Sequence, residues 1–325
     1  MTLISRRQAL FATSAFALFP SIGHADDWPK ARPVRAIVPF AAGSSTDILA
    51  RTVLDEVSKL IGQTIVVENR AGASGTIGAN AVAKSEPDGY TLLIHSSSHT
   101  VTPSTFSNPP YNAETDFAPV MTLATIPNVV VVNPSKGYKT LRDLVDAAKK
   151  NPGAFNYASA GAGSATHLTA ERLKMSAGFE GQHIAFKGSS EALTEVIANR
   201  VDFYCSPVNA AIELIKDNRV QALAVSSSQR ASALPNVPTT VEAGFPDSGY
   251  EFWIGAFLPR QTPRPIVERL HGEIVKALAT PALTKKFSEL GADQLKISPS
   301  EFEAMIRREI PANAALVKAA GIKPN

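Results

Sequence analysis

A single cysteine, Cys205, stands among 325 residues, so no intramolecular disulfide can brace the chain. Its setting reads as a strand, Val201 to Ser206, which makes the thiol a buried and inert side chain rather than a nucleophile. Surplus charge is missing as well. Lysine and arginine number 32 against 29 acidic residues, and Arg6 and Arg7 account for two of the three excess charges. That balance excludes a broad basic field for nucleic acid or an anionic membrane, although the pI is near 8.9. Beyond the amino terminus, no apolar run approaches the roughly 20 residues a membrane helix needs.

Several catalytic signatures are also lacking. Gly161-x-Gly163 has no third glycine of a dinucleotide fingerprint, and no Walker lysine and serine follow a glycine-rich loop. No Gly-x-Ser-x-Gly elbow surrounds Ser74, Ser164 or Ser189. His95 and His99 are four apart but straddle a strand end, where two imidazoles do not share a helical face for zinc. Neither a metal nor a cofactor is therefore expected.

The amino terminus carries an address. Arg6-Arg7 precede an apolar run from Ala9 to Phe19 and a small-residue stretch ending Gly23-His24-Ala25. That is the plan of a cleavable export signal spanning residues 1–25, too short for an anchor. The arginine pair after Ser5 fits the twin-arginine route, and an ordinary Sec signal fits equally well. The remaining chain is long enough for roughly two domains.

Strands alternate with helices along it. Val34 to Phe40, Thr64 to Glu68 and Tyr90 to His95 read as strands, with helices at about 46–60 and 77–84 between them. This β-α-β-α-β order predicts a parallel sheet with helices on both faces. The pattern restarts at Asn128 to Asn133, whose four valines suggest a central parallel strand. Further strands are expected at Phe155 to Ala158, His183 to Lys187, Val201 to Ser206 and Val220 to Ser226. Helices are expected at about 164–176, 189–199 and 209–217. Thr140-x-x-Asp143 and Ser298-x-x-Glu301 read as capping boxes. After a strand at Tyr250 to Leu258 the tail is helical: Pro265 to Ala279, Pro281 to Leu290 and Pro299 to Ala320. Two sheets and a returning tail predict a two-lobed α/β body with a cleft, lobe 1 from 26–125 plus 240–325 and lobe 2 from 126–239.

Ligands of open α/β sheets sit beyond the carboxyl ends of strands. There the chain runs Phe40-Ala41-Ala42-Gly43-Ser44-Ser45-Thr46-Asp47 into a helix, with free N–H groups and three hydroxyls for an anion. The same turn is a plain N-cap if Ser or Thr closes the helix and Asp47 complements its dipole. A matching turn, Gly161-Ala162-Gly163-Ser164-Ala165-Thr166-His167, follows the strand ending at Ala158. A third donor-rich turn, Ser96 to Thr100, follows the strand ending at His95. Turns on both lobes would face one another across the cleft.

The chain resembles the Bug family, the extracytoplasmic solute receptors of tripartite tricarboxylate transporters. Matching stretches include Arg32-Pro-Val-Arg-Ala-Ile-Val-Pro-Phe40, Ser45-Thr46-Asp47 and Val66-Val-Glu-Asn-Arg-Ala-Gly-Ala73. Others are Pro87-Asp-Gly-Tyr-Thr-Leu-Leu93, Lys187-Gly188-Ser189, Ala222-Leu-Ala-Val225, Leu234-Pro-Asn-Val-Pro-Thr239 and Ala320-Gly-Ile-Lys323. The resemblance implies a Venus-flytrap (type II-like) periplasmic binding protein for a small mono- or dicarboxylate or aromatic acid. It would be a monomer delivering that ligand to two integral membrane subunits. By carry-over, Phe40, Gly43, Ser44, Ser45, Thr46 and Asp47 hold one end of the ligand, and Gly163, Ser164, Thr166 and His167 the other. Ser97, Ser98, Lys187, Ser189 and Ser206 line the sides.

Four departures stand out. Ser44 replaces the second glycine of a common Gly-Gly pair, a strained substitution if that position has positive φ. Ser206 replaces a common Asp, which makes the wall less hostile to anions and unsuited to an amino-acid ammonium. Phe186 stands for Tyr and Asn313 for Trp. Two rival readings are a ligand-sensing partner of a membrane signalling protein and an exported α/β hydrolase using His167 with a serine.

Overall fold

A computed structural model describes residues 28–324, and the export signal expected at residues 1–25 lies outside the described residues. The first sheet takes β1 (Val34–Val38), β2 (Ile65–Asn69), β3 (Thr91–Ser96) and β4 (Phe117–Thr125), with α1 (Ser45–Ile61), α2 (Thr76–Ala83) and α3 (Ser98–Thr105) between them. The second takes β5 (Asn128–Val132), β6 (Asn156–Ser159), β7 (Gln182–Ala185), β8 (Phe203–Pro207) and β9 (Gln221–Val225). Its helices are α4 (Leu141–Lys150), α5 (Ala165–Ala177), α6 (Ser189–Ile197) and α7 (Val208–Lys216). β10 (Trp253–Pro259) returns to the first sheet, and α8 (Arg264–Leu278), α9 (Pro281–Leu290) and α10 (Pro299–Ala319) close the chain.

The sheets share one plan. Their orders are β2-β1-β3-β10-β4 and β7-β6-β8-β5-β9. In each, the first three strands run parallel and the fourth is antiparallel to both neighbours. β1 and β6 are therefore equivalent, and each leads through a serine turn into a helix. The expectation of parallel sheets needs correction at β10 and at β5. The valines of β5 reflect burial on both faces, and β5 pairs antiparallel with both β8 and β9. Continuous apolar character follows from covering both faces of a strand, whichever way its neighbours run.

The capping boxes form at both proposed places, Thr140 with Asp143 and Ser298 with Glu301. β4 and α3 are additions to the expected elements. α3 lies in what the sequence presents as a turn, and it is held by packing against α10. Two strands of chain join the sheets. Ile126 and Pro127 make the first crossing, and the second runs alongside, with Ile126 N–H donating to Phe252 O and Tyr250 N–H to Ser226 O at 2.8 Å each. One apolar cluster continues from Val53 and Leu54 through Leu123 and Ile126 to Val129 and Tyr204, so the core is unbroken beneath these two crossings.

Candidate functional site

In the first lobe, Gly43 turns the chain at φ +77° and Ser44 follows in extended conformation at φ −67°. The positive φ falls on the glycine, so Ser44 carries no strain of the kind its departure from Gly-Gly raised. It serves instead as the N-cap of α1, its Oγ accepting the Asp47 N–H at 3.3 Å. Asp47 turns back on the same turn: Oδ2 accepts the Gly43 N–H at 2.8 Å. Its Oδ1 accepts from Arg51 Nε at 3.0 Å and from Asn69 Nδ2 at 2.8 Å. Burial alone would raise the Asp47 pKa, but bonds from Arg51, Gly43 and Asn69 outweigh it and lower it. Asn69 also donates to Phe40 O at 3.0 Å, tying the strand end to the turn.

The second lobe repeats the device. Gly163 has φ +71°, Ser164 is extended at φ −69°, and Ser164 Oγ accepts the His167 N–H at 3.3 Å. Where the first lobe uses the Asp47 carboxylate, the second uses an imidazole: Gly163 N–H donates to His167 Nδ1 at 3.0 Å. Thr166 Oγ1 accepts the Ala160 N–H at 2.9 Å and lies 3.0 Å from Ser164 Oγ.

Few donors of the two turns are left for a ligand. The glycine amide and the amide of Asp47 or His167 are consumed within each turn. The two amides between, those of Ser45 and Thr46 and of Ala165 and Thr166, take no acceptor among the described residues. Four N–H groups at two helix starts therefore offer themselves, with the positive ends of α1 and α5 behind them.

The lobes touch around these turns. Ser45 Oγ donates to Asn209 Oδ1 of α7 at 3.0 Å. A Cβ on Gly163 would fall 2.9 Å from Thr105 Cγ2 of α3, so the second-lobe turn lies close against the first lobe. The floor is polar. Ser97 N–H donates to Trp253 O, and its Oγ is buried beside the Tyr250 phenol; Ser98 N–H reaches Ser96 Oγ at 3.4 Å. Half-buried Phe40 meets His95 edge-on at 5.3 Å. Burial lowers the pKa of His95 to about 3, helped by nearby His99, and burial likewise lowers that of His99 to about 4.

Ser189 Oγ accepts from Tyr204 Oη at 3.0 Å, and the same buried phenol interacts with Thr166 and Ser206. Tyr204 was not among the expected site residues. Alternation along β8 puts it on the same face as Ser206, two residues on, and that signal could have found it. Ser206 Oγ donates to Pro207 O at 3.1 Å. Lys187 is exposed, and its backbone N–H donates to Glu191 Oε2. Asn313 lies in a different place, a groove beside the hinge that Arg172, Tyr250 and Glu309 also line. There it donates to Thr100 Oγ1 at 2.9 Å.

Residues 49–322 match the family described as "Tripartite tricarboxylate transporter family receptor". The chain is similar to Protein BugT of Bordetella pertussis, 36% identical over 301 residues that cover 92% of each chain. Among solved structures it is similar to R. palustris Rpa4515 with adipate, at 33% identity and a TM-score of 0.85 over 92% of this chain and 100% of that one. It is also similar to MatC (Rpa3494) from Rhodopseudomonas palustris with bound malate, at 30% identity and a TM-score of 0.80 over 88% and 99%.

Proposed function

Because the chain belongs to the family of tripartite tricarboxylate transporter receptors, we propose that it captures a small carboxylate in the periplasm between the starts of α1 and α5. The observation that carries this reading is the quartet of amides, Ser45, Thr46, Ala165 and Thr166, each without a protein acceptor among the described residues. The family is one of receptors, so the hydrolase alternative falls away. The adipate and malate of the two similar structures support a dicarboxylate as the ligand.

In this reading, each lobe's turn grips one carboxylate and closure shields both from water. A micromolar ligand requires about −8 kcal/mol. Three or four hydrogen bonds to a charged group, at roughly 1.5–3 kcal/mol each, supply that after ordering costs. No lysine or arginine is required in the site, which agrees with the exposed position of Lys187. Ser164, Thr166, Ser189, Ser206 and Tyr204 form the polar wall of the second lobe, and Ser97 and Ser98, with the apolar ring of Phe40, line the first. The lobes are 26–125 with 240–325, and 126–239, a division that the sheet membership of β1–β10 supports. The receptor works as a monomer, is exported by the signal at residues 1–25, and passes its ligand to two integral membrane subunits.

Thermal unfolding of the mature protein, stripped of co-purified ligand, against adipate, malate, a tricarboxylate and an aromatic acid tests this. A ligand at 100 times its Kd adds about 2.7 kcal/mol and raises the midpoint by several degrees. A selective rise is expected; an unmoved midpoint across the panel refutes carboxylate capture.

A further inference from the structure

Beneath the second-lobe turn two histidines lie face to face, the rings of His167 and His183 3.6 Å apart between centroids and 9° from parallel. Each ring reaches a different end of the loop Gly161-Ala162-Gly163. His167 Nδ1 accepts the Gly163 N–H at 3.0 Å. His183 Nε2 lies 2.6 Å from Ser159 Oγ, and that same oxygen accepts the Gly161 N–H at 3.1 Å. Both glycines hold positive φ, +132° and +71°, so this backbone has no preference of its own for the shape it takes.

We propose that the stacked pair His167 and His183 is a bracket of positioning residues that pins both glycines of the second-lobe turn and so aims the Ala165 and Thr166 amides at the ligand. This rests on the carboxylate reading above and assigns the two imidazoles a role beneath the ligand rather than against it. His167 is buried, with Nδ1 spent on Gly163, which places its proton on Nε2. Nε2 faces Glu171 Oε1 at 3.7 Å. Burial by itself would raise the Glu171 pKa, but interactions with His167, Tyr157 and Lys174 bring it down to about 2. That carboxylate is anchored by the Tyr157 hydroxyl and by Lys174 Nζ at 2.9 Å, and it fixes the imidazole in the tautomer that accepts from Gly163. His183 completes the stack from β7. Burial and the neighbouring His167 lower its pKa to about 4, which keeps it neutral against its partner.

The first lobe supplies an internal control. At the equivalent position Asp47 does the same work with an oxygen, accepting the Gly43 N–H at 2.8 Å. An acceptor on a short side chain therefore suffices. His167→Asn should keep the turn, and His167→Ala should lose it.

Two measurements on the mature protein separate this proposal from the carboxylate reading. The first uses no ligand: ¹⁵N-histidine spectra and amide exchange. His167 is expected as the Nε2–H tautomer, with the Gly163 amide exchanging far more slowly than that of Ala165. Protection of Gly163 should vanish in His167→Ala and return in His167→Asn, while His183→Ala should release Gly161. An Nδ1–H tautomer, or equal Gly163 protection in the wild type and His167→Ala, overturns the bracket. The tautomer is read in the wild type, so failure of a variant to fold leaves that test standing. The second measurement is adipate affinity, expected to fall about ten-fold in His167→Ala and to recover in His167→Asn. Absent binding to wild-type protein would count against the carboxylate reading and leave the ligand-free result to decide the bracket. Asn no better than Ala, with wild-type binding intact, would contradict the bracket.

Discussion

Ser45 Oγ donates to Asn209 Oδ1 at 3.0 Å, joining the first turn of α1 to the first turn of α7 across 164 residues of sequence. This bond spans the two lobes at the mouth of the proposed site, with Asn209 lying outside the turns that would hold the ligand. In the closure proposed above, this bond would serve as a latch between the lobes. Asn209→Ala should raise the dissociation rate of the ligand several-fold, in keeping with about 0.5–1.5 kcal/mol for a neutral hydrogen bond, and change the association rate little. Stopped-flow fluorescence or surface plasmon resonance reads both rates. An unchanged dissociation rate would show that closure does not lean on this contact.

The two turn glycines should respond differently to alanine. Gly43 has positive φ but open space where a Cβ would go, whereas Gly163 has positive φ and Thr105 Cγ2 at 2.9 Å from that point. Gly43→Ala should cost about 1–2 kcal/mol of stability through backbone strain alone. Gly163→Ala should add a wedge between the lobes and lose more affinity than Gly43→Ala does. Ser44→Ala should cost about 1 kcal/mol as a lost N-cap, and Ser44→Gly only a few tenths. Denaturant titrations and ligand affinities on the four variants check the order; equal affinity losses for the two glycines would remove the wedge.

Stability should fall between neutral and mildly acid pH. His95 is held down to about 3 and His99 to about 4, His95 by burial and by His99, His99 by burial. His183 is held to about 4 by burial and by His167. In the unfolded chain all three take up protons as pH drops through about 6.5, while the folded protein resists until about 4. The unfolded state therefore binds more protons across that window, and stability is full above it and lost on the way down. Each fully buried histidine contributes up to about 1.4 kcal/mol per pH unit, and half-buried His183 less because water reaches it. A lower urea midpoint at pH 5.5 than at pH 7.5 is expected. An equal or higher midpoint at pH 5.5 would contradict neutral burial of the three rings.

Much of the fold was legible because its punctuation is local. Pro281 to Leu290 is bounded by Thr280 and Gly291, and both capping boxes are fixed by side chains three residues apart. The two serine turns announce themselves the same way. What was not legible depends on distant partners. α3 is built from Ser98, Thr100, Val101, Thr102 and Thr105 with Pro103 inside, a composition poor in helix formers, and it forms because α10 packs on it. β4 carries Pro119 and is stabilised by β10, which arrives more than a hundred residues later. Asp47 and His167 sit where a ligand contact or a turn closure is equally plausible from spacing. Only their bonds to Gly43 and Gly163 distinguish the two roles. Asn209 gives no local sign at all, since its partner belongs to the other lobe.

In the proposed function a carboxylate seats on four particular amides. This seating is tested most directly by ¹H–¹⁵N correlation spectra of the mature protein titrated with adipate, then with malate. Downfield shifts concentrated at Ser45, Thr46, Ala165 and Thr166 are the predicted result, since these amides of the two facing turns take no acceptor among the described residues. Saturating shifts confined to the hinge-side groove around Arg172, Tyr250 and Glu309, with those four amides unmoved, would contradict it.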